Sequence, residues 1–128
     1  MVELTLPWPP SVNGYWRHPT TGKLAGRHLI SEAGRAYREA VGWQVAAASM
    51  AAGLACLVAV DIMAYAPDKR RRDLDNLQKS LLDSLTHAGV WGDDDQVDDL
   101  RIRWARDAAG KKIIAGMVKV RISEVAEA

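Results

Sequence analysis

Residues 54–89 read LACLVAVDIMAYAPDKRRRDLDNLQKSLLDSLTHAG. The first part, Leu54 to Ala66, is apolar at nearly every position, with Val58, Val60 and Ile62 in its middle. Such a run predicts a strand buried on both faces, and Pro67 ends it because proline cannot donate to a ladder. In the last part Leu74, Leu77, Leu81, Leu82 and Leu85 recur at helical spacing, with Gly89 as a stop. A helix is therefore expected from about Asp75 to Ala88, opened by a capping box of Asp75 with Gln78. Between strand and helix stand four cations, Lys69, Arg70, Arg71 and Arg72, which run straight into Asp73 and Asp75.

Outward from this stretch, Val2 to Leu6 predicts a short strand ended by Pro7-Trp8-Pro9-Pro10. Ser11 to Ile30 is rich in Gly, Pro, Thr and Asn and reads as a long loop with a small hairpin around Thr20-Thr21-Gly22. Loops of that length in compact domains are often functional. Ser31 has the chemistry of an N-cap. Glu32 to Ala52, with Tyr37, Val41, Val45 and Ala48 on one face, reads as a long helix stopped by Gly53. Leu100, Ile102 and Trp104 alternate with Asp99, Arg101 and Arg103, as in a half-exposed strand. Ile113 to Ile122 gives another strand, with Val118, Val120 and Ile122 opposite Lys119 and Arg121. Asp107 and Gly110 mark a hairpin loop between these two strands. The order is β-loop-α-β-α-β-β, an α+β class with a mixed four-stranded sheet packed with two helices, in a single domain over residues 1–128.

A chain of 128 residues, 48% hydrophobic, is long enough for one core. The formal charge is only +1, yet its distribution is uneven. Residues 69–72 are all cationic, residues 93–99 hold five acids, and Arg101 to Arg121 holds seven bases against Asp107. Segregation of this kind creates local fields that a near-neutral total conceals. Cys56 is the only cysteine, which excludes an internal disulfide or a thiolate zinc cluster and suits a reducing cytoplasm. The N-terminal residues lack the basic and apolar regions of a signal peptide. No run reaches the length of a membrane span.

Two readings attend each charged cluster. In an extended segment residues i and i+2 point the same way, so Asp73 and Asp75 sit together at a helix N-terminus, where the dipole favours negative charge. They are either caps or metal ligands. One cap needs one side chain, and four preceding cations exceed what a cap requires. The run Asp93-Asp94-Asp95-Gln96-Val97-Asp98-Asp99 taken alone reads as a solvated turn, and it lacks the pattern of an EF-hand. Gathered with Asp73 and Asp75, it would gain from a divalent cation. Lys79 lies four residues after Asp75 on the same helical face. It makes either a surface ion pair of a few tenths of a kcal/mol or a contact to phosphate charge. The cations of residues 69–72 are a solvated loop or, paired with the acids, phosphate contacts. Trp91 is a core residue or a base-stacking wedge, Cys56 a small buried hydrophobe, and His87 a cation suited to a helix C-terminus. His18 and His28 lack metal-ligand spacing. Neither a Ser-His-Asp arrangement nor a Walker loop is present.

Leu6-Pro7-Trp8-Pro9-Pro10-Ser11, Asn13 and Tyr15-Trp16-Arg17-His18 resemble the N-terminus of the RusA family of Holliday junction resolvases. Arg70 to Lys79 resembles that family's central motif, and Ala88-Gly89-Val90-Trp91-Gly92-Asp93-Asp94-Asp95-Gln96-Val97 its second acidic motif. The resemblance implies a small cytoplasmic homodimer, from a bacterium or a phage, that cuts four-way DNA junctions with Mg2+, or Mn2+ as a substitute. It implies Asp73, Asp75 and Asp94 as catalytic metal ligands, Asp93 as a ligand or neighbour, and Lys79 as the catalytic lysine. From the basic residues themselves, DNA contacts are expected from Arg17, Lys69, Arg70, Arg71, Arg72, Lys111 and Lys112, and no membrane partner is expected. Asp95 and Gly92 depart from the family pattern, which has a small residue and a larger apolar one at these places. The residues also suit a non-catalytic nucleic-acid-binding module with a structural metal site, or a metal-dependent nucleotide phosphohydrolase.

Overall fold

The computed structural model describes residues 2–48 and 53–125. In chain order the elements are β1 (Val2–Pro7), α1 (Val12–Tyr15), β2 (Trp16–Arg17), β3 (Leu29–Ile30), α2 (Glu32–Ala47), β4 (Val58–Tyr65), α3 (Asp75–His87), a 3-10 turn (Asp94–Gln96), β5 (Val97–Trp104) and β6 (Met117–Glu124). The main sheet has four strands in the order β1-β6-β4-β5. β4 pairs with β5 in parallel and with β6 antiparallel, and β1 pairs antiparallel with β6. The expected α+β architecture is therefore present. The loop region adds α1 and a two-stranded ribbon of β2 and β3, which joins Trp16 to Ile30 and Arg17 to Leu29.

One face of the sheet carries the core. Tyr37, Val41 and Val45 of α2 and Leu77, Leu81, Leu82 and Leu85 of α3 pack over Leu4, Leu6, Val58, Val60, Ile62, Val118, Val120 and Ile122. The other face corrects the expectation that β4 is buried on both sides. Ala59, Asp61, Met63 and Tyr65 are only half-buried. Both long helices lie on one side, and the strand register lines up Glu3, Arg121, Asp61 and Arg101 across the four strands on the other. Glu3 pairs with Arg121 at 3.0 Å, and Asp61 lies 3.5 Å from Arg103. A charged row of this kind is what lets a strand with an apolar sequence face outward on one side.

Two further boundaries differ from expectation. β5 and β6 do not form a hairpin, because β4 lies between them. Their connection crosses the end of β4, where the Ala66 carbonyl accepts from the N–H groups of Ala115 (2.9 Å) and Gly116 (3.0 Å). Asp107 and Gly110 do make a local turn within that crossing, bridged by Arg106 and Lys112. Helix α2 closes at Ala48, so Gly53 is not its stop; residues 49–52, where the rest of the expected helix falls, lie outside the described residues. At the end of α3, Gly89 takes φ +86° just past the Ala88 cap, as a C-terminal glycine should.

Ser31 caps α2 as expected, its Oγ accepting from the Gly34 N–H at 2.9 Å. Its own N–H donates to the Tyr15 carbonyl at 2.9 Å, which pulls α1 against the first turn of α2. Gly34 makes this approach possible, since a Cβ there would run into the Tyr15 carbonyl oxygen and the Ile30 side chain. Gly42, in the same helix, has open space around it. Gly42→Ala should therefore stabilise the protein by up to ~1 kcal/mol through helix propensity, and Gly34→Ala should destabilise it by ~1–3 kcal/mol through overpacking. Denaturant unfolding of the two variants checks this, and equal effects of one sign would contradict the packing of α1 on α2.

Candidate active site

Strands β1, β4 and β5 run in the same direction, so the segments that leave them emerge at one edge of the sheet. There the Pro-rich turn after β1 and the charged segment after β4 enclose a cleft of about 440 Å³, lined by Trp8, Pro9, Ser11, Arg71, Asp73 and Asn76. The turn is fastened from three sides. The Ser80 hydroxyl, fully buried in α3, donates to the Pro10 carbonyl at 2.8 Å. Tyr37 donates to the Pro7 carbonyl at 2.8 Å, and burial pushes its phenol pKa well up. Trp8 stacks on Trp104 at the end of β5, with ring centroids 5.9 Å apart.

A partly buried network sets α1 against α3. Tyr15 is 0% exposed, and its hydroxyl donates to Asp83 of α3. Arg38 of α2 reaches the same hydroxyl at 2.7 Å and Asp83 at 2.8 Å. Burial, then the hydrogen bond to Asp83, raises the Tyr15 pKa, so the phenol keeps its proton as donor. Nothing in the sequence pattern joined these three residues.

Asp73 and Asp75 stand at the start of α3, but not as expected. The N-cap is Leu74, which has φ −62° and ψ −33° and makes no side-chain cap. The capping box of Asp75 with Gln78 is therefore not formed. The backbone has already turned helical between the two aspartates, so the same-side argument, which needs extended backbone, does not hold. Both carboxylates are exposed and, among the described residues, accept no hydrogen bond and make no ion pair. Lys79 is exposed on the same helix and likewise makes no ion pair with Asp75 within 4.0 Å.

The four cations before them are not equivalent. Asp68 pairs with Arg72 at 2.8 Å and with Arg70 at 3.5 Å, and also accepts from the Arg70 N–H at 2.9 Å. The Arg72 guanidinium, followed by the Arg70 N–H, holds the Asp68 carboxyl below its ordinary pKa. The clamp is thus intact at neutral pH and is released only as pH falls through that lowered value. Arg71 and Arg72 both line the cleft, and Lys69 and Arg71 have no acidic partner among the described residues. The signal for this clamp in the sequence is an acid, Asp68, directly before a cationic run.

The second acidic run is an ordered turn. Asp93 caps the 3-10 turn by accepting from the Asp95 N–H at 3.1 Å. Gln96 closes it, accepting from the N–H groups of Gly92 (2.8 Å) and Asp93 (3.1 Å) and donating to the carbonyls of Leu54 (2.6 Å) and Cys56 (3.0 Å). Gly92 is therefore part of a held turn. Asp94 accepts from the Thr86 hydroxyl, which in turn accepts from Trp91 Nε1 at 2.6 Å. Trp91 is 1% exposed, a core residue whose one polar atom helps to position Asp94. Asp98 and Asp99 belong to β5.

Thr86 lies in the last turn of α3 and Asp75 in its first. At 1.5 Å per residue they are roughly 16 Å apart along the axis. One chain thus places the two acidic runs at opposite ends of α3. Among the described residues no three His, Cys, Asp or Glu side chains gather closely enough to hold a metal ion. The donor chemistry, exposed carboxylate oxygen, fits Mg2+, whereas the arrangement within one chain does not.

The remaining candidates divide in two. Arg17 lies exposed in β2, paired across the ribbon with Leu29. Lys111 and Lys112 lie on the β5–β6 crossing beside Lys69, and the Lys112 ammonium sits 4.0 Å from the Trp104 ring centroid. His87 is in the last turn of α3 as expected, and Cys56 is half-buried against the core just before β4. The ribbon brings His18 and His28 together, Nδ1 to Nδ1 at 3.3 Å, a proximity their spacing of ten residues hid. No helix among the described residues is long and apolar enough to cross a membrane.

The cleft, the charged segment and the acidic turn all fall within residues 7–123, which match the family model described as Endodeoxyribonuclease RusA. Over 100 residues the chain is 50% identical to the crossover junction endodeoxyribonuclease RusA of Escherichia coli strain K12, covering 78% of this chain and 79% of that protein. The same figures hold for the proteins of that name from Enterobacteria phage 82 and Shigella sonnei strain Ss046. With nearly the whole fold matched, and the Pro-rich turn, cationic run and acidic turn inside the match, the chain belongs to the RusA endodeoxyribonuclease family.

Proposed function

We propose that this chain is a metal-dependent endodeoxyribonuclease that resolves four-way DNA junctions as a homodimer, in recombination and repair of DNA in a bacterium or a phage. The observation that carries the reading is the start of α3. There Asp73, Asp75 and Lys79 stand exposed and unpaired beside a cleft within the segment matched to an endodeoxyribonuclease family. The helix dipole favours the two acids but not the lysine, and unpaired charge of both signs at one helix end suits a divalent cation next to a phosphodiester. The names of the relatives, crossover junction endodeoxyribonucleases, support the substrate.

The assembly follows from the separation of the acidic runs. A ligand set that takes Asp73 and Asp75 from one chain needs Asp94 from a second chain. A two-fold dimer would form two such sets, matching the two symmetric cuts that resolution requires. Trp43 on α2 is 71% exposed, a large apolar surface suited to a partner copy. Mg2+, or Mn2+ in its place, would be held by Asp73, Asp75 and Asp94, with Asp93 retained as the cap of the turn. The chemistry such an ion supplies is activation of water and neutralisation of phosphate charge, leaving 5′-phosphate and 3′-hydroxyl ends. Lys79 stabilises charge that develops on the phosphate. Lys69 and Arg71 hold the backbone directly, while Arg70 and Arg72, clamped by Asp68, give a fixed cationic surface.

One observation favours a second reading, a nucleic-acid-binding module without catalysis: among the described residues a single chain brings no three metal-ligating side chains together. Cleavage separates the two. A synthetic four-way junction should be cut with Mg2+ or Mn2+, bound but not cut with Ca2+, and left intact in EDTA. Cutting in EDTA would defeat the metal-dependent reading, and no cutting under any condition would favour the binding module. Asp73→Asn, Asp75→Asn and Asp94→Asn should each abolish cutting while junction affinity is kept or raised, since negative charge near phosphate is lost. Normal cutting by the three purified variants would remove these residues from the site. Lys79→Ala should lower the single-turnover rate by roughly 10²- to 10³-fold at saturating DNA, the scale of one preorganised donor. Full recovery on adding more DNA would make Lys79 a binding contact only.

A further inference from the structure

The β5–β6 crossing forms a second cleft at the same sheet edge, of about 490 Å³, lined by Lys69, Arg106, Gly110, Lys111, Lys112 and Ile114. Its lining holds four cations and no acid. None of the four makes an ion pair among the described residues: Arg106 donates to the Gly110 carbonyl at 2.8 Å, and Lys112 lies over the Trp104 ring. Ile114 is 44% exposed, an apolar side chain left open inside a cationic rim. It bridges Ala66, so it stands where β4 hands over to the charged segment that leads to Asp73.

Cations alone would suit any phosphate backbone. An exposed β-branched residue inside them is a different signal, because apolar side chains are the groups that DNA-bending proteins set against unstacked bases. We propose that this cleft takes an unstacked base at the branch point of the junction, with Ile114 against the base and Lys69, Arg106 and Lys111 on its flanking phosphates. The cleft thereby couples recognition of the branch point to the catalytic edge. This inference rests on the junction reading above and adds to it a base-contacting residue distinct from the carboxylate site.

The test places 2-aminopurine at the branch point of a four-way junction and follows its fluorescence on binding in Ca2+. The wild-type protein should raise the fluorescence as the base leaves the stack. Ile114→Ser should bind with an unchanged salt slope, lose that rise, and lose about tenfold in preference for junction over duplex, the scale of one apolar base contact. Ile114→Leu should keep the rise. Lys69→Ala with Lys111→Ala should lower affinity and reduce the salt slope by about two. A full fluorescence rise with Ile114→Ser would overturn the proposal. So would a shift of that variant from dimer to monomer in sedimentation, which would give Ile114 to a protein interface. Failure of the wild-type protein to bind any junction would instead defeat the junction reading on which the proposal stands.

Discussion

Parallel pairing of β4 with β5 is the constraint from which the rest of the molecule follows. Adjacent parallel strands cannot be joined by a tight turn; the chain must return to the start of the next strand, and a helix is the usual carrier. α3 is that carrier, so it begins where β4 ends and finishes where β5 begins. The acids at the start of α3, Asp73 and Asp75, are therefore at one edge of the sheet, and the run Asp93 to Asp95 that follows it is at the other. On the proposed reading this separation is useful. Carboxylates that would repel one another in a monomer are kept apart until a second chain and a cation bring them together.

The same helix explains the packing around the cleft in physical terms, without recourse to function. Its inner face is leucine, but Ser80, Asp83 and Ser84 interrupt that face where the N-terminal segment crosses. Each polar group finds a specific partner there: Pro10, Tyr15 and Arg38. A network of this kind favours one geometry, because a slip would leave the buried hydroxyls of Tyr15, Ser80 and Ser84 unpaired. The outcome is a cleft whose apolar wall, Trp8 on Trp104, is set by the core and whose charged wall is set by the Asp68 clamp.

Periodicity carried most of the fold. The leucines of α3, the alternation in β5 and β6, and Ser31 as a cap were legible because local pattern and tertiary burial agree there. The second face of β4 was misread because Ala59, Met63 and Tyr65 look like core residues, while their neighbours Arg101, Lys119 and Arg121 come from strands whose pairing no local pattern reveals. The hairpin at Asp107 and Gly110 was half right for the same reason: the turn is local, and the strand order is not. In the site, residue types and spacing pointed to Asp73, Asp75, Lys79 and the acidic run from Asp93, and the family resemblance singled out Asp94, but neither told how far apart α3 holds them. Residues that act through distant partners, such as Tyr15 with Asp83 or Thr86 with Asp94, left no trace at sequence spacing.

The central claim is that one working carboxylate set draws on two chains. A mixed dimer tests it directly: one chain carries Asp75→Asn, the other Asp94→Asn, and the pair is purified through a different tag on each. With a shared site, one set keeps Asp73 and Asp75 from the second chain and Asp94 from the first, so the mixed dimer nicks a junction at about half the wild-type number of sites. The parent homodimers should both be inactive. A mixed dimer as inactive as its parents, while still binding the junction, would contradict the account and place each complete site within a single chain.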